Sequence, residues 1–376
     1  MYPLVYNLSP FLLFILLCLF FQINPTSINH IALASKNDDD RDSKDDDDEE
    51  EKDDNDDGDD EDRDSKDEDD EEEKDDNDDE DRDSKDDDDI KSSDIPNDQI
   101  DSKYDKFGIQ KIYPSKIGGE EWYMNMQNIF DDNQFFPFGV SDSKFEDSNL
   151  KIDHNEDGSW KLRSDDQLAK VRMNVYTSEG YDPGKIETLD QSNLDDIGYM
   201  QTVRDWKNIE MTGYIKLNNN NIPLSEGRFT WYNRGGHHTE NDPCEGVAYK
   251  GDIFFSGDTR FAKEQWHVKY FFTEIKNDLK SIKGKWIGYK FIIYNLEKTD
   301  SSKTMVKMEI WIDYNNNGNW KKINEYIDKG KWGDAGKKCD GKKDQIITWG
   351  GPIATFRWDK ADDVDFKNFS VREIDS

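Results

Sequence analysis

Polar side chains suited to holding a sugar alternate with apolar ones in three strand-like segments. The segments are EQWHVKYFF (264–272), GKWIGYKFIIYN (284–295) and MVKMEIWID (305–313). Their polar faces carry Gln265, His267, Lys269, Trp286, Lys290, Tyr294, Lys307, Glu309 and Trp311. Aromatic rings stack on pyranose rings, amides and carboxylates bind hydroxyls, and lysines suit an anionic polymer. If these strands are neighbours, their faces predict a polysaccharide groove. An ordinary solvated sheet face is the alternative.

A loop rich in titratable side chains follows the segment RFTWYNRGG. The sequence RGGHHTENDPCEG (234–246) places His237 and His238 next to several carboxylates. Its paired glycines allow the loop to fold back, which predicts that both histidines contact substrate. Zinc binding is the weaker interpretation, because adjacent residues of a strand point to opposite faces. A plain surface loop is the third.

Two short segments match the first half of a calcium-binding loop. The candidate ligands are Asp153, Asn155 and Asp157 before Gly158, and Asp313, Asn315 and Asn317 before Gly318. Oxygens at this spacing converge on Ca²⁺. The glutamate expected at the twelfth position is missing, since Ser164 and Asn324 stand there. The sequence therefore leaves open a structural calcium ion or hairpin turns rich in Asn, Asp and Gly.

Period-two alternation dominates residues 104–376, and this pattern is typical of strands with one buried face. Stretches such as NNNN and DYNNNGN separate the alternating segments as turns. Only residues 274–282 make a weak case for a helix. The pattern predicts one all-β domain over residues 104–376, folded as an antiparallel sandwich or jelly roll.

The negative charge of the chain is concentrated in one segment. The protein has 86 acidic and 50 basic side chains, and residues 36–94 alone hold 39 acidic against 10 basic. The motif DRDSKD occurs there three times with almost no apolar residue. Such a segment cannot offset its ordering entropy by burial, so we predict disorder over residues 35–103. It would serve as a spacer, as a sink for divalent cations, or as both.

The rest of the chain carries 47 acidic and 40 basic side chains, a nearly balanced set that is still net acidic. Binding to duplex nucleic acid requires clustered Lys and Arg at the phosphates. The composition therefore argues against a nucleic-acid partner.

The N-terminus has the pattern of an export signal. Residues 11–21 (FLLFILLCLFF) are an unbroken apolar run, about half of the ~20 residues that span a membrane. Residues 32–34 fit a cleavage site, so we predict a signal peptide over residues 1–34 and a secreted or cell-surface protein. An uncleaved signal that anchors the protein in a membrane is the alternative. Loss of Cys18 would leave Cys244 and Cys339, which predicts one disulfide; two unrelated buried thiols are the alternative.

Several of these segments resemble a known superfamily. DWKNIEMTGYIK, EIWIDYNNNGNW and WGGPIATFRWDKADDVDFKNFSVREI are similar to segments of concanavalin A-like jelly rolls, which include legume lectins, laminarinases and several polysaccharide lyases. The resemblance covers about residues 120–374. Within it, Gln265-Trp266-His267 resembles the Q-[IV]-H strand of alginate-lyase-type enzymes. Lys290, Tyr294 and Asn295 resemble the K-x-x-x-Y-N part of their C-terminal strand.

The resemblance implies cleavage of an acidic extracellular polysaccharide by β-elimination, with no cofactor required. Gln265 and an arginine, Arg234 or Arg228, would neutralise a uronate carboxylate and make the C5 proton acidic. His267 or Tyr294 would remove that proton, and Tyr294 would protonate the leaving oxygen.

Two other functions remain open from the sequence. One is a noncatalytic glycan-binding or adhesion protein of the cell surface or matrix, with the acidic segment as a cation-binding stalk. The other is a glycosidase, for which Glu309 with Glu264 or Glu245 would supply the two carboxylates that such enzymes place across a groove.

Overall fold

The computed structural model describes residues 102–131, 135–140, 150–164, 170–182, 200–235, 247–266, 269–277, 279–296, 304–339 and 341–376. The strands within these ranges are β1 (Glu121–Tyr123), β2 (Phe135–Val140), β3 (Lys151–His154), β4 (Trp160–Arg163), β5 (Lys170–Tyr176), β6 (Ile209–Asn219), β7 (Arg228–Gly235), β8 (Ala248–Phe254), β9 (Thr259–Gln265), β10 (Lys269–Phe272), β11 (Ile287–Leu296), β12 (Met305–Asp313), β13 (Lys321–Asp328), β14 (Ile353–Asp359) and β15 (Asp363–Glu373). A short 3-10 helix comprises Gly336–Cys339.

The strands form two antiparallel sheets. The eight-stranded sheet has the order β13-β12-β11-β6-β15-β4-β3, with β1 also paired to β15. The seven-stranded sheet has the order β10-β9-β8-β7-β14-β5-β2. Neighbours along the sequence, such as β7, β8 and β9, pair directly, whereas β14 and β15 insert between earlier strands. The predicted all-β antiparallel sandwich is confirmed.

The core lies between the two sheets and is rich in aromatic rings. Trp231 of β7 packs on Tyr289 of β11 with ring centroids 4.2 Å apart, and on Phe356 of β14 at 4.8 Å. Phe369 of β15 stacks on Phe356 at 4.5 Å. Gly213 of β6 makes room for it, because a Cβ there would lie 2.1 Å from a Phe369 ring carbon. The inward residues of the period-two pattern thus supply the apolar burial that joins the sheets.

The segment 264–272 is a hairpin and not the single strand that its alternation predicts. β9 ends at Gln265, β10 begins at Lys269, and these two residues are opposite each other in the antiparallel pair. Trp266 adopts a left-handed backbone conformation (φ 56°) at the reversal. Its buried ring stacks on Trp349 at 5.8 Å, so burial of the indole accounts for the direction change.

The weak helix prediction for residues 274–282 is wrong for the described part of that segment. Lys276 forms a bridge with Thr259 of β9, through backbone hydrogen bonds of 2.9 Å in both directions. Pairing with the open end of β9 satisfies the backbone groups that a helix would have satisfied internally. Among the described residues, no helix is long and apolar enough to cross a membrane.

Candidate functional site

The structure divides the polar strand faces that were predicted to form one groove. β9 and β10 belong to the seven-stranded sheet, whereas β11 and β12 are neighbours in the eight-stranded sheet. Gln265 and Lys269 are therefore on a different sheet from Lys290, Tyr294 and the polar residues of β12. A single groove across these three segments is not formed, because the hairpin at Trp266 directs β9 and β10 into the other sheet.

Gln265 is buried and has a structural set of hydrogen bonds. Its Oε1 accepts the backbone N–H of Ala335 at 2.9 Å, and its Nε2 lies 3.5 Å from the carbonyl oxygen of Gln345. The side chain is 1% exposed. Gln265 thus fixes the segment that contains the 3-10 helix. Lys269 is exposed and lies 3.6 Å from a carboxylate oxygen of Asp334.

Arg234 is buried where β7 ends and connects strands of both sheets. Its guanidinium donates to Asn295 Oδ1 and to the carbonyl oxygen of Ile347, each at 2.7 Å, and to the carbonyl oxygen of Lys207 at 3.1 Å. Burial lowers the pKa of Arg234 to about 9. These contacts place it between the sheets, where Arg234 and Gln265 both lie against carbonyl oxygens of one segment, those of Ile347 and Gln345.

Lys290 belongs to a buried ion cluster on the outer side of the eight-stranded sheet. Its ammonium group donates to Glu210 Oε1 at 2.6 Å, and Arg372 lies 3.0 Å from Glu210 Oε2. The backbone N–H groups of Ile112 and Tyr113 also donate to Glu210 Oε2, at 3.1 and 3.3 Å. The segment 104–116 therefore covers Lys290, which is 1% exposed.

Tyr294 and Glu309 lie under the same segment. The Tyr294 hydroxyl is 2.9 Å from that of Tyr113, and both hydroxyls donate to Glu309 Oε1. Glu309 also accepts the indole N–H of Trp311 at 2.7 Å and pairs with Lys307 at 2.9 Å. The predicted base Tyr294 and the predicted substrate contacts Lys307, Glu309 and Trp311 are thus joined through the Glu309 carboxylate. Trp286 is half-buried beside β11.

The first calcium-like segment forms the turn between β3 and β4. Asp157 Oδ1 accepts the N–H and the hydroxyl of Ser159, at 3.0 and 2.6 Å. Asn155 donates its amide to Ser159 and to Asp365, and Asp153 pairs with Arg163. The oxygens of this segment serve turn and strand contacts, as the hairpin alternative expects.

The second calcium-like segment follows β12 and is a turn of the same kind. Asp313 accepts the N–H of Asn317 at 3.0 Å, the N–H of Gly318 at 2.7 Å and the hydroxyl of Tyr214 at 3.1 Å. Asn315 lies in this turn. Among the residues described, no group of three His, Cys, Asp or Glu side chains is arranged to hold a metal.

Five predicted residues lie outside the described ranges: His237, His238, Cys244, Glu245 and His267. Cys339 lies in the 3-10 helix, and its side chain is also outside the description. The predicted disulfide and the predicted histidine roles stay predictions. The same holds for the signal peptide and the acidic segment.

The outer face of the seven-stranded sheet carries a cationic cluster around a tyrosine. Thr355 of β14 is opposite both Asn174 of β5 and Tyr232 of β7, and Tyr232 is opposite Lys250 of β8. One step along the sheet, Arg357 of β14 is opposite Arg172 of β5. The Tyr232 site is defined here as Arg172, Asn174, Tyr232, Lys250, Thr355 and Arg357.

Alternation in these strands explains why the six side chains share a face. Ala354, Phe356 and Trp358 of β14 are buried in the core, so Thr355 and Arg357 between them point outward. In β5, β7 and β8 the inward neighbours of these polar residues, such as Met173, Trp231 and Tyr249, are likewise in the core. Each strand thus contributes polar groups to one surface while its other face stabilises the sandwich.

Three positive charges surround the Tyr232 ring. Lys250 Nζ lies 5.2 Å from the ring centroid and Arg357 Cζ lies 5.7 Å from it. Burial raises the pKa of Tyr232, but the charges of Arg172, Arg357 and Lys250, together with a side-chain hydrogen bond between Tyr232 and Thr355, outweigh burial and lower that pKa. The site therefore favours a negative charge at the phenol oxygen.

Two of the three cations have carboxylate partners. Lys250 Nζ lies 2.8 Å from Glu264 Oε2, and Arg357 Nε lies 2.7 Å from Asp359 Oδ1. Arg172 has no ion-pair partner among the described residues, and its Nε lacks a hydrogen-bond acceptor there. A guanidinium that has no ion-pair partner among the described residues and lies beside a second arginine is a favourable position for an anion, because a bound anion relieves the repulsion between them.

Sequence reasoning missed this site, although a signal was present. RFTWYNRGG, KVRMNVY and IATFRWD all alternate, which places Tyr232, Arg172 and Arg357 away from the core. What the sequence did not contain was the pairing order, in which β14 lies between β5 and β7 although it is distant from both along the chain.

The known proteins similar to this chain are solved structures of low sequence identity and low TM-score. No family model and no curated protein matches the chain. Among solved structures, a Bacillus subtilis protein of unknown function with a galectin-like fold has 11% identity and a TM-score of 0.39, covering 70% of this chain and 98% of that one. The Emp47p carbohydrate recognition domain has 8% identity and a TM-score of 0.35, over 65% and 90%. Peanut lectin has 8% identity and a TM-score of 0.32, over 69% and 100%.

Proposed function

We propose that the protein binds an acidic polysaccharide at the Tyr232 site. The observation that carries this proposal is the cluster of Arg172, Arg357 and Lys250 around one tyrosine on a single sheet face. Arginine suits carboxylate and sulfate groups because its planar donors bind two oxygens together. The tyrosine ring and the Asn174 amide supply contacts for the sugar ring and its hydroxyls.

The recessed position of the site supports charge recognition. Lys250 is 5% exposed and Arg357 is 9% exposed, while Arg172 and Tyr232 are half-buried. Charges partly removed from water interact more strongly with an opposite charge than exposed charges do. Loss of one charged hydrogen-bond donor costs about 1.5–3 kcal/mol, so we expect each arginine to account for roughly a ten- to hundredfold change in affinity.

Cleavage by β-elimination is a second candidate function, and the lowered pKa of Tyr232 favours it. The Tyr232 phenolate would take the C5 proton of a uronate whose carboxylate lies against Arg172. The electron pair released would form the double bond between C4 and C5, and the bond from C4 to the glycosidic oxygen would break. The phenol would then return its proton to that oxygen, so no cofactor is needed.

One experiment tests binding and cleavage together. The purified protein is run in affinity gels that contain alginate, polygalacturonate or the neutral glucan laminarin, and the ultraviolet absorbance of the unsaturated uronate is followed in parallel. We expect retention by at least one acidic polymer and not by laminarin. Arg172→Gln should weaken that retention about ten- to hundredfold. Tyr232→Phe should retain binding and remove any rise in absorbance.

The matched control is Arg163→Gln. Arg163 is half exposed in the eight-stranded sheet and pairs with Asp153, so its loss removes the same charge at a distance from the site. Equal retention of wild type and Arg172→Gln would contradict the binding proposal. Retention without any absorbance rise would assign the protein to the noncatalytic class.

Other parts of the proposal rest on the sequence. We infer that the protein acts outside the cell, and that its acidic segment binds divalent cations as a stalk. Calcium at the turn that contains Asp157 or the turn that contains Asn317 is an additional proposal from the spacing of these segments. None of these depends on the residues of the Tyr232 site, so failure of one leaves the Tyr232 proposal intact.

A further inference from the structure

A cavity lies on the opposite sheet from the Tyr232 site. It has a volume of about 440 Å³ and lies on the outer side of the eight-stranded sheet. Its lining comes from Tyr104, residues 107–110, Tyr214 of β6, residues 316–318, Trp320 and the pair Lys367–Asn368 of β15. We call it the Trp320 pocket. Its volume is within the range typical of sites for small organic ligands.

Hydrogen bonds fix the segment 104–110 that forms one wall. The Asp105 carboxylate accepts the backbone N–H groups of Phe107 and Ile109 at 2.9 and 2.8 Å. The backbone N–H of Asp105 donates to the carbonyl oxygen of Ile109 at 2.9 Å. The segment is thus a closed turn of defined shape before any ligand arrives.

The opposite wall is fixed by Asp313. This carboxylate accepts the N–H groups of Asn317 and Gly318 and the hydroxyl of Tyr214, so it holds the turn and one aromatic wall together. The Trp320 ring packs closely against Gly288, where a Cβ would lie 2.5 Å from the ring. Ordered walls reduce the entropy that binding costs.

The lining has the chemistry of a sugar site. Four of its residues are aromatic, four carry amides and none carries a carboxylate. Aromatic faces such as those of Tyr104 and Trp320 stack on the apolar side of a sugar ring. Amides such as those of Asn316 and Asn317 both donate and accept, which suits hydroxyl groups.

Lys367 adds one positive charge to this lining. Its ammonium group lies 4.4 Å from the centroid of the Trp286 ring and 6.0 Å from that of Tyr214. In the part of the chain that the structure describes, no carboxylate lies within ion-pair distance of it. The neighbouring Lys216, in contrast, pairs with Asp365 at 3.3 Å. Lys367 is therefore available to a ligand anion, which would compete with the longer-range attraction between Lys367 and Asp157.

We propose that the Trp320 pocket is a second carbohydrate-binding site that takes one anionic sugar residue, such as a hexuronic acid. The carboxylate of the sugar pairs with Lys367, and its ring lies against the aromatic wall. This proposal does not rest on the function proposed for the Tyr232 site, because the two sites share no residue and belong to different sheets.

The test uses the full protein with methyl glucuronide and methyl glucoside as probes. Saturation-transfer NMR reports contact with each sugar, and a titration gives its affinity. We expect the glucuronide to bind at least tenfold more tightly than the glucoside. Lys367→Gln should weaken glucuronide binding about tenfold or more. Tyr104→Ala should weaken both sugars; Tyr104 is 50% exposed, so its truncation leaves the fold intact.

Two controls separate this site from its surroundings. Lys216→Gln removes a lysine that also lies 6.0 Å from the Trp286 ring but does not line the cavity, so it should leave glucuronide binding unchanged. Arg172→Gln tests whether the glucuronide signal arises at the Tyr232 site on the other sheet. The proposal is overturned by no glucuronide signal, by equal affinity for the two sugars, or by affinity unchanged in both Lys367→Gln and Tyr104→Ala. Loss of the signal in Arg172→Gln alone would assign it to the Tyr232 site.

Discussion

The tyrosines of this protein differ in the charges around them, and this difference decides which one suits a general base. Tyr294, the base expected from sequence, lies beside Glu309. Burial raises its pKa, a hydrogen bond with Tyr113 lowers it in part, and the Glu309 charge raises it again, to about 12. Tyr232 lies among cations instead, and its pKa is lowered. A base must lose its proton to act, so the surroundings of Tyr232 suit the role and those of Tyr294 oppose it.

The first prediction concerns the titration of Tyr232. Because the folded-state pKa is depressed, the phenol should ionise at a lower pH than an ordinary tyrosine, whose pKa is about 10. The tyrosinate absorbance difference between wild type and Tyr232→Phe should therefore appear at a lower pH than the transition of the other tyrosines. Arg172→Gln should move this difference to higher pH, since one positive charge is lost.

Binding of an acidic polymer serves as a control, because it should shift the pKa of Tyr232 upward rather than downward. Its carboxylates would neutralise Arg172 and Arg357, so the pKa of Tyr232 should rise when the polymer is added. The electrostatic argument would be contradicted if Tyr232 ionised at the same pH as the other tyrosines and if neither Arg172→Gln nor added polymer changed that pH.

At the scale of elements, the segment 104–116 explains why the predicted residues of β11 and β12 form no open groove. Its backbone N–H groups at Ile112 and Tyr113 complete the coordination of Glu210, and Arg372 donates to the carbonyl oxygen of Tyr113 at 3.3 Å. A buried charge needs such partners, because water no longer reaches it. The segment and the ion cluster therefore stabilise each other.

The second prediction removes the centre of this cluster. Glu210→Gln leaves Lys290 and Arg372 buried without their shared carboxylate, so the free energy of unfolding should fall by about 3–5 kcal/mol. Urea denaturation measures the change. Glu226→Gln, which breaks an exposed pair with Lys360, should cost no more than about 1 kcal/mol.

The pH dependence of the Glu210 effect has a definite sign. Burial raises the pKa of Glu210, but the charges of Lys290 and Arg372 lower it by a larger amount, so its folded-state pKa is depressed. Its contribution is present above the unfolded pKa, about 4.3, and is lost as pH falls through the lower folded value. The difference in unfolding free energy between wild type and Glu210→Gln should therefore decrease only in strong acid. A difference that is already small at neutral pH would show that the cluster is not stabilising.

The same strands show which features of the fold the sequence predicts and which it does not. Alternation in segments such as RFTWYNRGG and MVKMEIWID predicts their strands, because each must bury one face. Alternation does not show which strands pair, so it cannot reveal that β9 and β11 belong to different sheets and share no groove. It also continues through EQWHVKYFF, where the burial of Trp266 reverses the chain. The Tyr232 site requires residues from β5, β7, β8 and β14, so its recognition depended on pairing over long sequence distances.

The whole molecule combines a highly acidic segment with a sandwich that carries local cationic sites. Residues 36–94 have 39 acidic and 10 basic side chains, a net charge of −29, and the remaining residues have 47 and 40, a net charge of −7. An anionic polysaccharide that approaches the Tyr232 site or the Trp320 pocket therefore meets a repulsive field from the chain as well as local attraction. Which one dominates depends on ionic strength, since the screening length falls from about 10 Å at 0.1 M salt to about 3 Å at 1 M.

The third prediction follows from this competition. Deletion of residues 36–94 should tighten binding of an acidic polymer severalfold at low salt, and the difference should vanish at high salt as both charges are screened. Affinity gels run over a series of salt concentrations measure it. A neutral glucan is the control, because it should show no change at any salt concentration. Weaker binding after the deletion would instead show that the acidic segment recruits the polymer, which requires divalent cations to bridge carboxylates of the two chains. In that case chelation of the cations from the intact protein should weaken binding to the same extent as the deletion does.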